Sequence, residues 1–157
     1  MSDKLNIKQT PTDNGIEIKL SGQIDEDSIF TQLLELKSKK LIFDFKEINL
    51  INSCGVREWI NFIEKINQEI SISYKNCPQI VIEQINMVHG FIRKGTIVES
   101  FYAPYYSEDE DKVIKVLLST HDIVQGKAPL KKSDSGEELE FDAIEAQYFQ
   151  YIQQMDT

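Results

Sequence analysis

The stretch from residue 41 to residue 66 constrains the fold more than any other part of this sequence. Residues 41–45, Leu-Ile-Phe-Asp-Phe, have the length and the aromatic and aliphatic content of a buried strand. After a short polar turn, Asn52 or Ser53 can cap a helix whose apolar residues recur at helical spacing. That apolar stripe consists of Val56, Trp59, Ile60, Ile63 and Ile66. The pattern predicts a strand that passes through a short loop into an amphipathic helix.

The junction between this strand and this helix is a candidate for function. The first backbone N–H groups of a helix have no partner within the helix, and the helix dipole makes that end positive. Such a position attracts an anionic group and favours a thiolate. Residues 52–56, Asn-Ser-Cys-Gly-Val, occupy this position here.

Further strands and helices are predicted on either side of this stretch. Residues 5–9 and 16–20 alternate apolar and polar side chains around a Pro-Thr-Asp-Asn-Gly turn, which is typical of a hairpin. Residues 70–74 and 95–103 predict two more strands. A helix after Asp27 or Ser28 has the apolar side Ile29, Phe30, Leu33, Leu34 and Leu36. A second, opened by Pro78 and ended by Gly90, has the apolar side Ile80, Val81, Ile82, Ile85 and Val88.

This order, β-β-α-β-α-β-α-β, predicts an α/β fold with a mostly parallel sheet and helices packed on it. A C-terminal hairpin and an amphipathic helix follow. Residues 104–106, Pro-Tyr-Tyr, are expected to break the strand before them, residues 113–118 to form the second hairpin strand, and residues 122–136 to form a loop. Asp142 and Glu145 resemble a capping box for a final helix striped by Phe141, Ile144, Tyr148, Ile152 and Met155. We expect a domain at 1–102 and an extension at 103–157, packed on it or swapped between chains.

Charge and cysteine content exclude several classes of function. The formal net charge is −9, and residues 77–157 carry 14 acidic against 7 basic side chains. This acidity argues against binding to nucleic acid or to an anionic membrane surface. No apolar run is long enough to span a bilayer and no signal core is present, so a cytoplasmic protein is expected. The two cysteines, Cys54 and Cys77, do not form a metal-binding pattern with His89 or His121, and no metal or cofactor is expected.

The strand, loop and helix at 41–66 resemble the STAS domain of bacterial anti-sigma factor antagonists. In that family an apolar strand ending in Asp precedes Asp-Ser-Ser-Gly-Leu, which opens a helix; residues 52–56 match that motif here. A Gly-x-Leu-Asp at the end of the family's second strand is matched by Gly22, Ile24 and Asp25. The resemblance covers about residues 5–102. Cys54 stands where the family's phosphorylated Ser lies, whereas Ser53 matches the preceding Ser.

This resemblance implies a non-enzymatic regulatory module in bacterial signalling or transcription that binds a protein partner, such as an anti-sigma factor or serine kinase. The implied phospho-switch position is Cys54, with Ser53 beside it. The implied partner-binding residues are Asp25, Glu26, Asn52, Ser53, Cys54, Gly55, Val56 and Arg57. Cys54 either leaves the site permanently unphosphorylated or acts as a reactive thiol, and Ser53 is either a phosphosite or only a helix cap. Two other functions stay open: a structural adaptor or homodimer that uses the C-terminal hairpin and helix, and a thiol-based sensor.

The C-terminal extension is similar to a zinc ribbon that has lost its cysteines. The matching segments are residues 102–106, Tyr-Ala-Pro-Tyr-Tyr, and residues 139–142, Leu-Glu-Phe-Asp. Ser107 and Glu110 stand at the first cysteine pair, and residues 131–136 contain no cysteine. The resemblance therefore implies that packing, rather than a metal, holds the hairpin.

Overall fold

The fold is built on a five-stranded mixed sheet, seen in a computed structural model that describes residues 4–155. Its strands are β1 (Asn6–Thr12), β2 (Gly15–Ile24), β3 (Lys40–Ile51), β4 (Ser71–Lys75) and β5 (Ile97–Val98), and they lie side by side in that order. β1 and β2 form an antiparallel hairpin, and each of the later pairs is parallel. Together with the helices between the strands, this confirms the predicted mixed α/β class.

Two helices connect the parallel strands. Helix α1 (Ser53–Lys65) follows β3, and helix α2 (Gln79–Met87) follows β4. The buried side of α1 includes Trp59 and Ile63, as its apolar spacing predicts. None of the helices within residues 4–155 is long and apolar enough to cross a membrane.

An aromatic cluster fills the core between α1 and the sheet. Trp59 is completely buried and lies within about 6 Å, centroid to centroid, of several rings. These rings belong to Phe30, Phe43, Phe45, Phe62, Tyr74 and Phe91. The Trp59 indole N–H donates to the Tyr74 hydroxyl (2.9 Å), which donates to the Phe91 carbonyl (2.6 Å). Because these buried polar atoms are paired with one another, none of them leaves an unsatisfied hydrogen-bonding group in the aromatic core.

A second, antiparallel sheet forms the C-terminal part. It contains β6 (Ser100–Ser107), β7 (Lys112–Ser119), β8 (Lys131–Lys132) and β9 (Glu138–Phe141), in the spatial order β7-β6-β9-β8. Two short helices, α3 (Glu145–Tyr148) and α4 (Tyr151–Met155), follow. The boundary between residues 102 and 103 expected from the sequence lies inside β6.

The C-terminal part packs directly on the first sheet and its helices. The backbone of Cys77 pairs with β6: its N–H donates to the Ser100 carbonyl (3.1 Å), and its carbonyl accepts from Tyr102 (2.8 Å). The Asn86 side chain of α2 donates to the Tyr148 carbonyl (3.0 Å). Phe101 contacts the rings of Tyr148, Phe149 and Tyr151. Both sheets therefore share one hydrophobic core.

The prediction of an α-helix after Asp27 or Ser28 is wrong, because this segment forms a short 3₁₀ helix at Thr31–Glu35 instead. Ser28 does not cap it. Its hydroxyl accepts from the Asp25 N–H (2.9 Å) and thereby closes a turn. Phe30 and Leu33 are buried, whereas Ile29 is 66% exposed. Apolar side chains in this segment therefore point in different directions, and no continuous helical stripe is buried.

Two expectations for strand ends are also wrong. The polar turn expected after Phe45 belongs to β3, which continues to Ile51 and pairs with the end of β2. Pro104 does not break its strand. It lies within β6 opposite Lys115 of β7, and pairing with β9 begins at the next residue, Tyr105, so the position that lacks an N–H is at the end of the β9 ladder. The Pro104 carbonyl accepts from Asp142 (2.8 Å).

Instead of the single final helix predicted from the sequence, the structure has β9 and two short helices. Phe141 lies in β9 opposite Tyr105, and Ile144 is exposed. No capping box forms between Asp142 and Glu145. The Glu145 carboxylate instead accepts from the backbone N–H of Ala128 (2.8 Å) and so joins the loop before β8 to α3.

A carboxylate joins the tips of the two C-terminal hairpins, the positions at which the sequence was expected to have lost its cysteines. One Glu137 oxygen accepts from the Ser107 hydroxyl (2.7 Å), and the other accepts from the Asp109 N–H (3.0 Å). Ser107 is completely buried, and its hydroxyl also accepts from the Glu110 N–H (3.2 Å). Hydrogen bonds therefore connect the two tips.

Replacing Glu137 by Gln is expected to destabilise the protein at neutral pH. The hydrogen bonds from Asp109 and Ser107 lower the pKa of the Glu137 carboxyl, so its contribution to stability is present above its ordinary pKa. That contribution disappears as the pH falls through the lowered pKa. The melting temperatures of Glu137→Gln, Glu138→Gln and wild type, measured between pH 3 and 7, test this contribution to stability. Glu138 is the control because it is exposed. Equal melting temperatures for the two variants at pH 7 would contradict the assignment.

Candidate functional site

The candidate site lies where β3 ends and α1 begins. Asn52 is the helix cap: its side-chain oxygen accepts from the Gly55 N–H (2.8 Å), and its carbonyl accepts from Val56 (2.9 Å). Of the two residues that the sequence predicted as the helix cap, Asn52 is therefore the one that caps α1. The side chain of Ser53 is left exposed on the first turn of the helix.

Gly55 allows α1 to start directly against the end of β2. A Cβ atom at this position would lie 2.0 Å from the carbonyl oxygen of Ile24 and 2.8 Å from the backbone nitrogen of Asp25. These are backbone atoms, so they cannot move aside as a flexible side chain can. The Asn52 N–H also donates to the Ile24 carbonyl (3.2 Å). The close approach places the loop after β2 beside the start of α1.

That loop, residues 25–28, is held by its own hydrogen bonds and by Asn52. The Ser28 N–H donates to the Asp25 carbonyl (3.1 Å), and the Asp27 N–H donates to the Asp25 carboxylate (3.0 Å). The Asn52 side-chain NH₂ group donates to the Glu26 carboxylate (2.8 Å). This hydrogen bond from Asn52 lowers the pKa of the Glu26 carboxyl and so favours its ionised form.

Most of the site residues expected from the sequence are thereby brought together. The exposed ones, Glu26, Ser53, Cys54 and Arg57, together with Asp27 of the same loop, define a surface that we call the helix-start face. Asp25 and Asn52 are half-buried at its base.

Gly55 and Val56 do not belong to the exposed surface. Both are buried in the described conformation, and the expectation that they contact a partner directly stays a prediction. Gly55 permits the contact between α1 and β2, and Val56 belongs to the core.

Two apolar residues near this face were not anticipated. Ile29 follows the loop, and Leu50 lies opposite Gln23 near the end of β3; they are 66% and 41% exposed. Ile29 lines a groove of about 400 Å³ between the loop and β1, together with Asp25 and Ile7. In the sequence, Ile29 matched a helical stripe and Leu50 lay in an expected turn, so neither carried a signal of exposure.

The two cysteines occupy opposite environments. Cys54 is exposed, whereas Cys77 is completely buried, and burial raises the pKa of its thiol. Cys77 therefore cannot supply an accessible second thiol to Cys54 in the folded protein. Within residues 4–155, no group of three or more His, Cys, Asp and Glu side chains is placed to hold a metal ion.

A thiol titration of the native protein is expected to detect one reactive cysteine. Cys54 should react no faster than a free cysteine, and Cys77 at least about a hundredfold more slowly, because it reacts only when the core opens. The measurement is the rate of colour release from a disulfide reagent with and without denaturant. The Cys54→Ser variant should show no fast phase. A rate for Cys54 clearly above that of a free cysteine would favour the thiol-sensor hypothesis.

The fold and the site together define an α/β protein with an exposed, helix-start surface beside an acidic loop. No family model matches the sequence, and no curated protein matches it significantly. A solved structure that matches is that of an anti-sigma factor antagonist from Mycobacterium paratuberculosis, with 19% sequence identity. The match covers 48% of this chain and 71% of that chain, with a TM-score of 0.40. These comparisons assign no family, so the function has to be inferred from the site itself.

Proposed function

We propose that this protein is a non-enzymatic regulatory module that binds a protein partner through its helix-start face. The observation that carries the proposal is the exposure of Ser53 and Cys54 on the first turn of α1, with Arg57 one turn further on. The exposed loop residues Glu26 and Asp27 lie beside this helix start, because Asn52 is hydrogen-bonded to Glu26 and Gly55 packs on the backbone at Ile24. The base of this face is rigid, because Gly55 packs on the β2 backbone and Asn52 is hydrogen-bonded to both sides. A rigid, pre-formed surface loses little conformational entropy when a partner binds.

The type of partner is suggested by the STAS-like pattern of residues 52–56. We propose an anti-sigma factor or a related serine kinase as the partner, within a bacterial signalling or transcription-regulating system. In that family a phosphate at the helix start adds negative charge and prevents docking. Cys54 cannot accept a phosphate from a serine kinase, so we propose that docking here is permanent or is controlled in another way.

The test is quantitative binding of partners captured by the 157-residue chain. A Cys54→Glu variant places a negative charge at the centre of the helix-start face and should weaken binding at least about tenfold, or about 1.4 kcal/mol. Asn61→Glu is the matched control, because it adds the same charge at an exposed position further along α1. Equal binding by wild type and Cys54→Glu would refute the use of this face.

A second candidate function, self-association through the C-terminal part, is favoured by one observation. Val113 and Leu117 of β7 are 42% and 48% exposed, and β7 has one neighbouring strand, β6, among the described residues. A strand with a free edge and exposed apolar side chains can pair with another chain. Sedimentation of wild type and of a Leu117→Lys variant distinguishes the two candidates, since only self-association predicts a mass that falls with the substitution.

A further inference from the structure

The Asn52 side chain makes two hydrogen bonds that belong to two different parts of the helix-start face. Its oxygen accepts from the Gly55 N–H within α1, and its nitrogen donates to the Glu26 carboxylate in the loop after β2, each at 2.8 Å. Residues 26 and 52 are 26 positions apart, so this amide adds a side-chain contact at the loop tip to the backbone contact at its base, where the Asn52 N–H donates to the Ile24 carbonyl. An amide group can make this connection because it has an acceptor at one end and a donor at the other.

Other contacts also hold the loop after β2, and they show which part of the loop depends on Asn52. Its base is fixed where Gly55 meets the Ile24 carbonyl, and Ser28 closes its turn. The tip, Glu26 and Asp27, is exposed. Among the interactions of residues 4–155, the hydrogen bond from Asn52 is the side-chain contact that ties the Glu26 carboxylate to α1. The neighbouring side chains of Asp25 and Asp27 are carboxylates and offer this group no hydrogen-bond donor when ionised.

We propose that Asn52 is a positioning residue that holds the loop tip at Glu26 and Asp27 against the start of α1. The inference rests on the proposed function, because it concerns how the helix-start face is kept as a single surface. The type of side chain at position 52 determines whether the contact with Glu26 can form. An Asp there would still cap α1 with a carboxylate oxygen, but it would set a second negative charge against Glu26 and remove the donor.

Three variants of the 157-residue chain separate this role from simple capping. Asn52→Asp keeps the cap and loses the donor. Glu26→Gln keeps an acceptor for Asn52. The double variant Asn52→Asp with Glu26→Gln has the same net charge as wild type. Its hydrogen bond can form in the reverse direction, from the amide introduced at position 26 to the carboxylate introduced at position 52.

Amide hydrogen exchange, resolved by residue, is the measurement. Asn52→Asp should raise the exchange rate at Glu26 and Asp27 about tenfold or more, the scale of one lost charge-assisted hydrogen bond. The Gly55 amide should stay protected, because the carboxylate introduced at position 52 still caps α1. In the double variant, exchange at the tip should return to within about threefold of the wild-type rate.

Two results would overturn the proposal. One is wild-type exchange at the loop tip in Asn52→Asp; the other is a double variant that exchanges as fast as Asn52→Asp. Neither result involves a binding partner. A failure of the partner-binding proposal, seen as equal binding by wild type and Cys54→Glu, is therefore distinguishable from a failure of this one.

Discussion

A chain that ends after Tyr102 is expected not to fold. The cut removes most of β6 together with α3 and α4, which cover α2 and Phe101. Val81, Ile85 and Phe101 are completely buried in the intact protein. Exposing such side chains costs about 1.5–3 kcal/mol each, and a typical domain has a total stability of about 5–15 kcal/mol. The fragment should show no cooperative thermal transition by near-ultraviolet circular dichroism, and it should bind a hydrophobic dye.

The control for this truncation keeps both parts of the molecule. Residues 1–108 and 109–157, produced together, are divided at the exposed turn between β6 and β7. This pair should assemble and recover the near-ultraviolet signal, because the covering surfaces are present although the chain is cut. If residues 1–102 alone melted cooperatively within a few degrees of the full chain, the first sheet would be an independent domain.

Gly55→Ala is expected to destabilise the protein, although Ala is the better helix former. Inside an exposed helix this substitution gains about 1 kcal/mol. Here the new methyl group would lie 2.0 Å from the Ile24 carbonyl oxygen, so α1 must move away from β2. Overpacking of this kind costs about 1–3 kcal/mol, and with a backbone obstacle we expect a net loss of about 2 kcal/mol or more. Tm should therefore fall by about 4–8 °C.

Ser53→Ala, two residues earlier on the same helix, provides the comparison. Its side chain is exposed and it is not the cap, so Tm should change by no more than about 1–2 °C, the effect of an ordinary surface substitution. Calorimetry of both variants and wild type measures the difference. A Gly55→Ala protein at least as stable as wild type would show that α1 does not touch β2 as described.

The local pattern of the sequence determined the centre of this fold. The first half of strand β3, a cap at Asn52 or Ser53 and the buried stripe of α1 were predictable, because period and capping depend on residues close together in the chain. The β1–β2 hairpin was predictable for the same reason. The position of the exposed Ser53 and Cys54 on the first turn of α1 is a consequence of that local pattern as well.

Tertiary packing decided the remaining features, because each depends on a neighbour that is distant in sequence. Phe141 matched a helical stripe but pairs with Tyr105 in a sheet, and Glu145 matched a capping box but accepts from Ala128. Gly55 and Val56 matched a binding loop, yet β2 and the core bury them. The hydrogen bond between Asn52 and Glu26 joins residues 26 positions apart. A pattern of neighbours along the chain does not predict such contacts, since only the folded sheet brings the end of β2 to the start of α1.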